Sequence, residues 1–313
     1  MEQILYKLNP WWEVDFHTKS VPRPKYQNKL SKLLPMRDIV LLTGLRRVGK
    51  TTIIKQIVEV LLQKVKPEFI FYVSLDAYGL EKYSIHEIVT RYRTIHRLGL
   101  DQKIYVFLDE IAFKEDFQKE LKDFYDNENT KIYASASSAS ILRDKKAYLT
   151  GRTRTIEILP LDFEEFLVFR NAKIKTVDAY LLENYFMEYM QTGGLPEYVL
   201  TGDIVYLSEL VDSILYKDII AFHNIKDPAI VKDFFRLLME RAGKVLTLNK
   251  MAKILGISLD TVRRYMEYFK ETYIVYTVER CGKLNQRLRT GKKLYAGDVG
   301  LKNMATGFRD RGA

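Results

Sequence analysis

The sequence predicts an α/β protein in which a parallel-sheet core is followed by a helical domain and then a winged helix-turn-helix. Three observations predict it. From Ile39 to Leu159, short and fully apolar runs alternate with amphipathic helical stretches, the pattern of strands covered on both faces. After Pro160 the strand-like runs stop, and residues 161–242 read as nearly continuous amphipathic helix. From about residue 245, two short helical patterns are separated by Gly256-Ile257-Ser258 and followed by a strand-like run.

The elements follow in order. Residues 1–36 form an aromatic lead-in containing Trp11, Trp12 and Pro22-Arg23-Pro24, with a short helical stretch around Tyr26–Leu34. Ile39–Thr43 is the first strand, and Thr51–Val65 is a helix with Ile53, Ile54, Ile57, Val58, Leu61 and Leu62 on one face. Strands over Phe69–Leu75, Ile104–Leu108, Ile132–Ser135 and Thr155–Leu159 follow, with helices near Ile85–Arg97 and Phe117–Asn127 between them. In the last part, Leu248–Leu255 and Leu259–Thr272 are the two helices. Gly256 stops the first, Ser258 caps the second, and Tyr273–Val278 stands where a wing would begin.

Composition bounds the function. A chain of 313 residues with 47% hydrophobic and 29% charged residues is globular and long enough for about two domains. The single Cys281 excludes an internal disulfide and a cysteine-based metal site. The apolar runs are too short to span a bilayer and the N-terminus lacks a signal-peptide pattern. The expectation is therefore a cytoplasmic protein with no membrane partner. Net charge is +10, and Val245–Ala313 carries a surplus of eight cations, which points to an anionic partner, nucleic acid (DNA) first and an acidic membrane surface second.

The chemistry begins at Gly44-Leu45-Arg46-Arg47-Val48-Gly49-Lys50-Thr51, a P-loop pattern between a strand and a helix. Glycines let successive backbone N–H groups turn into a phosphate-sized nest, and the following helix points its positive end at the same place. Lys50 supplies a cation to the β and γ phosphates, and Thr51 a hydroxyl to Mg²⁺. Residues 44–51 with Thr52 are the expected ATP-binding set. Ile104–Leu108 runs into Asp109 and Glu110. Asp109 suits the Mg²⁺ site beside Thr51, and Glu110 suits the base that orients the attacking water.

Further candidates surround this pair. Ser137 or Ser138, after the next strand, is placed to sense the γ-phosphate. Arg152 and Arg154 precede the last strand. Such an arginine neutralises charge during phosphoryl transfer, in its own subunit or from a neighbour in a homo-oligomer. Arg23 is a candidate for the adenine side of the site. In the helix-turn-helix, Asp260, Thr261, Arg263 and Arg264 open the second helix, where base and phosphate contacts concentrate; Lys283, Arg287, Arg289, Lys292 and Lys293 follow on an expected wing or hinge.

The ordered set resembles the AAA-like P-loop ATPases of archaea and bacteria that join an ATPase core to a winged helix and a C-terminal domain. The resemblance rests on the Gly44–Thr51 loop with its double arginine, Asp109-Glu110, the serine run at 135–138, Leu149-Thr150-Gly151-Arg152 and Ile158–Phe166. It continues through Gly193-Gly194-Leu195-Pro196-Glu197, Lys217-Asp218-Ile219, and Lys293-Leu294-Tyr295 before Asp298. Two departures stand out: Ala136 where the family has Gly, and a chain that stops at Ala313. The resemblance implies a cytoplasmic, DNA-related ATPase, as a motor or as a slow nucleotide-controlled switch. It also implies boundaries at 1–36 (lead-in), 37–160 (ATPase core), 161–242 (helical lid), 243–282 (winged helix-turn-helix) and 283–313 (start of a truncated C-terminal domain).

Overall fold

Buried apolar runs and their flanking turns build one parallel sheet. Strands β1 (Ile39–Thr43), β2 (Ile70–Ser74), β3 (Ile104–Asp109), β4 (Thr130–Ser135) and β5 (Thr153–Glu157) stand in the order β2-β3-β4-β1-β5. Every neighbouring pair is parallel. The computed structural model describes residues 1–137, 146–175 and 180–308. Among the described residues, contacts divide the chain into two compact units: Met1–Gly44 with Gly49–Ile158, and Leu45–Val48 with Leu159–Ala313.

In the first unit, β1 and β4 are buried along their whole length, as central strands covered on both faces should be. Strand β4 lies between β1 and β3, so the phosphate-loop strand and the acidic strand are one strand apart. Strand β5 is an edge. It buries Ile156 while Arg154, Thr155 and Glu157 are exposed, and it spans Thr153–Glu157 where the apolar run suggested Thr155–Leu159. An edge strand needs cover on fewer sides, so polar residues are tolerated there.

Helices α1 (Glu2–Leu8), α2 (Pro24–Ser31), α3 (Lys50–Leu62), α4 (Ile85–His96) and α5 (Phe117–Asn127) cover the sheet. The lead-in is part of this unit and not a separate segment. Asn9 bonds the backbone of Tyr72 in both directions through its side chain, at 2.8 and 2.7 Å. The indoles of Trp11 and Trp12 both donate to the Ile70 carbonyl. Helix α4 starts with a complete capping box from Ser84 and Glu87, whereas no side chain caps α3. Helix α3 is the one that follows the phosphate loop.

The second unit is helical: α6 (Phe163–Phe169), α7 (Tyr180–Thr192), α8 (Pro196–Thr201), α9 (Ile204–Ser213), α10 (Pro228–Glu240), α11 (Leu248–Leu255), α12 (Leu259–Glu271), α13 (Leu284–Arg289) and α14 (Val299–Thr306). Helix α9 continues directly into Ile214–Ala221, which is wound as a π-helix. Gly193-Gly194 turns the chain between α7 and α8. A Cβ on Gly194 would sit 2.2 Å from the Leu161 carbonyl oxygen, so only glycine fits this corner. The corner is fastened by the buried Asp298, whose carboxylate accepts N–H bonds from Gly194, Gly300 and Leu301.

Helices α11 and α12 have the punctuation read from the sequence: Gly256 ends α11 at φ +65°, and the Ser258 side chain accepts from Thr261 N–H at the start of α12. Strand β6 (Val275–Val278) then pairs antiparallel with β7 (Lys293–Ala296), with α13 between them. This corrects the expected break at residue 283, which falls inside the β6–β7 connection. Within the segment 283–313, α14 packs against α7, α9 and α10. Burial of Leu301 supplies the driving force, and a two-stranded ribbon needs such helical support to be stable. No described helix is long and apolar enough to cross a membrane.

Candidate nucleotide-binding site

Parallel strands bring their C-terminal ends to one edge, so Gly44, Asp109-Glu110 and Ser135–Ser137 emerge there together. The loop has the alternation of backbone hand that forms an anion nest: Gly44, Arg47 and Gly49 have φ of +135°, +69° and +92°. Gly44 is also required by space, because its Cβ would lie 2.2 Å from the Ile158 carbonyl oxygen. Gly49 has open space around it, so its conformation alone selects glycine. Leu45 and Val48 are buried and pin the loop at both sides of its tip.

In α3 the Ile53 N–H bonds the Gly49 carbonyl at 2.9 Å, and the N-cap residue, Gly49, brings no side chain to this end of the helix. The positive end of the helix dipole at this terminus favours an anion. Lys50 is buried, with its ammonium 2.9 Å from the Gly44 carbonyl oxygen, close against the loop. Donor set, nest and cation all fit a nucleotide phosphate.

Asp109, at the end of β3, is nearly inaccessible. Its carboxylate accepts from Thr51 Oγ1 at 2.6 Å, Tyr72 Oη at 2.9 Å and Ser135 Oγ. Hard oxygen donors gathered in this way fit a Mg²⁺ site held through Thr51 and Asp109. Burial first, and the neighbouring Asp109 charge second, push the Tyr72 phenol well above its usual pKa, so it stays a neutral donor. Glu110 sits in the left-handed region at φ +51°, a strained setting for this residue type. Its N–H donates to Ser135 Oγ at 3.0 Å, and its side chain accepts from Ser137 Oγ at 2.9 Å.

The structure thus brings together Lys50, Thr51, Asp109, Glu110 and Ser137, with Thr52 in the first turn of α3. Ser138 lies outside the described residues. Tyr72 and Ser135 were missed by sequence reasoning. Their signal was available in β2 and β4, where a polar atom lies near the C-terminal end of an otherwise apolar strand.

Arg152 is a correction. Its carbonyl oxygen accepts from Ile39 N–H at the start of β1, so it lies at the opposite edge of the sheet from Gly44. Five strand residues at about 3.3 Å each separate the two edges, beyond the reach of an arginine in its own subunit. Its guanidinium pairs instead with Asp126 at 3.1 Å. Arg154 pairs with Asp38 at the same edge. Arg23 is buried, with its guanidinium 4.6 Å from the Tyr26 ring centroid. The neighbouring Val21 carbonyl and Ser20 hydroxyl bond Gln56 on α3. Arg46 forms a two-point ion pair with Asp218, with Nε–Oδ2 at 3.0 Å and Nη2–Oδ1 at 2.6 Å.

Of the expected DNA contacts, Arg263 and Arg264 are exposed on α12, with Arg263 3.1 Å from Asp260. The Thr261 hydroxyl lies 2.9 Å from Ser258 Oγ within the helix cap. Lys283 is exposed, while Arg287 and Lys292 both pair with Glu279. Where a wing or hinge was expected, Arg287 stands on helix α13.

A nest ahead of a helix with no side-chain cap, with the buried Lys50 and half-buried Thr51, and an Asp-Glu pair one strand away, is the arrangement of a P-loop nucleotide-binding site. Residues 36–167 match the family model described as an AAA domain, and residues 183–312 match a domain of unknown function, DUF8612. A Walker-type ATPase of Pyrococcus abyssi shares the fold, with a TM-score of 0.56 and 15% identity over 93% of this chain and 99% of that one. An uncharacterized protein of Methanocaldococcus jannaschii is 28% identical over 88% of this chain and 64% of its own length. An uncharacterized protein of Haemophilus influenzae is 27% identical over 90% of this chain and 73% of its own length. This chain therefore spans about two thirds of those relatives. Residues 36–167 thus match an AAA domain, and the chain shares the fold of a Walker-type ATPase.

Proposed function

We propose that the chain is a Mg²⁺-dependent ATPase that couples hydrolysis to conformational change on DNA. The observation that carries the reading is the adjacency of two bonded pairs at one sheet edge, Thr51 with Asp109 and Ser137 with Glu110. One pair holds, and the other reacts.

The nest and the α3 N-terminus bind the β and γ phosphates through backbone N–H groups, and Lys50 adds a mobile cation. Mg²⁺, when bound, would supply positive charge that offsets the negative charge of the phosphates. Thr51 and Asp109 would hold it, and Tyr72 and Ser135 fix the orientation of the Asp109 carboxylate. Glu110 takes a proton from the attacking water, and Ser137 sets the direction of its carboxylate. Arg23 is the group proposed to flank the adenine.

The DNA part rests on the basic C-terminal region and on the exposed Arg263 and Arg264 at the start of α12, with Thr261 and Lys283 nearby. A slow nucleotide-controlled switch is favoured by one observation. Ser137 already engages Glu110, which must release or share that bond to act on water. Turnover decides: a DNA-stimulated rate above about 1 per second supports the motor, and near-stoichiometric retention of ATP supports the switch. ATP hydrolysis with and without duplex DNA, in wild type and in Arg263→Glu/Arg264→Glu, tests the DNA coupling. Unchanged DNA affinity in the double variant overturns it.

A further inference from the structure

We propose that Asp218 is a positioning residue for nucleotide binding, gripping Arg46 so that the tip of the phosphate loop keeps the shape that aims its N–H groups at phosphate. The proposal rests on the ATPase reading and deepens it. Four observations carry it.

The first is geometric. The Arg46–Asp218 contact is a fork on a fork, at 3.0 and 2.6 Å, which fixes orientation as well as distance. The second is burial. The two side chains are 26% and 15% exposed, so the pair is shielded from the solvent that makes surface ion pairs weak.

The third is strain. Arg47, next to Arg46, sits at φ +69°, a conformation that costs a non-glycine residue on the order of 1 kcal/mol and persists only when its surroundings hold it. Leu45–Val48 make their contacts with the second unit, so the restraint comes from there.

The fourth is the π-helix. Tyr206 on α9 and Asp218 on Ile214–Ala221 are twelve residues apart along one continuous helical run. At 3.6 residues per turn they would point about 120° apart. A π turn holds roughly 4.4 residues, and winding the later residues that way brings the two to within about 30°. Tyr206 has a buried hydroxyl with no hydrogen-bond partner among the described residues, and both Arg47 and Glu197 act on it electrostatically. One helical run thus carries both Tyr206 and Asp218, and Asp218 holds Arg46. Eight residues of π-helix are unfavourable compared with α, and this register is what they supply.

The test uses the full chain and three readouts: hydrogen exchange of residues 44–52 without nucleotide, binding of a fluorescent ATP analogue, and steady-state ATP hydrolysis. For Asp218→Asn, exchange of the loop and KM for ATP should each rise about tenfold with kcat within about twofold, because preorganised ground-state binding is lost. The swapped pair Arg46→Asp/Asp218→Arg should recover most of both effects. A merely structural defect would lower the active fraction, and so kcat, without moving KM. Unchanged exchange and KM in Asp218→Asn, or a swapped pair no better than Asp218→Asn, overturns the proposal. Wild type and Lys50→Ala serve as controls for the parent reading. If neither binds the analogue, the ATPase reading falls, and loop exchange still decides whether Asp218 orders the loop.

Discussion

Ser137 Oγ donates to Glu110 Oε1 across 2.9 Å, joining the residue after β4 to the residue after β3 at the edge where the phosphate loop begins. Ser137→Ala should leave ATP binding intact and lower kcat about tenfold or more, since a base that is free to rotate is poorly aimed at water. Steady-state kinetics measures this. A fall in affinity with kcat unchanged would assign Ser137 to binding instead.

The Tyr72 hydroxyl should matter through Asp109, which it orients at 2.9 Å. Tyr72→Phe removes that one bond and little volume. The Mg²⁺ concentration for half-maximal hydrolysis should rise about tenfold, the usual cost of losing a group that orients a metal ligand. A Mg²⁺ titration of the ATPase rate checks it. An unchanged midpoint would mean that Thr51 and Ser135 suffice.

Two loop glycines should fail for different reasons. Gly44→Ala drives a methyl group to 2.2 Å from the Ile158 carbonyl oxygen, so β1 and β5 must part; the loss should exceed about 3 kcal/mol by denaturant unfolding. Gly49→Ala meets open space and pays only for φ +92°, about 1 kcal/mol. Equal losses would contradict this distinction.

Much of this was legible in the sequence because the phosphate loop and the acidic strand end are local patterns. Gly44–Thr51 needs a strand before it and a helix after it, and both were visible as hydrophobic periodicity. Helices Phe117–Asn127 and Leu248–Leu255 were bounded at the same residues the structure gives them. What was not legible is long-range. Nothing local to Arg152 says that the start of β5 lies at the far edge of a parallel sheet, and nothing near Asp218 says that its partner is 172 residues away. The pairing of β6 with β7 was hidden for the same reason, since Lys293–Ala296 is too short and too polar to signal a strand alone.

Asp298 gives a pH prediction. Burial lifts its carboxyl to about 6, against the pull of its three backbone N–H bonds. The folded state therefore holds this proton more tightly than the unfolded chain, whose carboxyl titrates near 4. Its contribution is complete below about pH 4 and is lost as pH rises through about 6, on the order of 3 kcal/mol. Asp298→Asn cannot titrate, and its amide N–H₂ faces the Gly194 N–H, so it should be less stable at low pH but with a flatter profile from pH 4 to 7. Thermal unfolding across that range, as the difference between wild type and variant, measures it. Parallel profiles would contradict the assignment.

The central claim is that Lys50 holds the nucleotide while Glu110 splits it. ATP binding and single-turnover hydrolysis should be measured side by side for wild type, Lys50→Ala and Glu110→Gln. Lys50→Ala should lose binding, and Glu110→Gln should bind ATP with near wild-type affinity while hydrolysis falls at least about a hundredfold. Hydrolysis by Glu110→Gln at the wild-type rate would contradict the account.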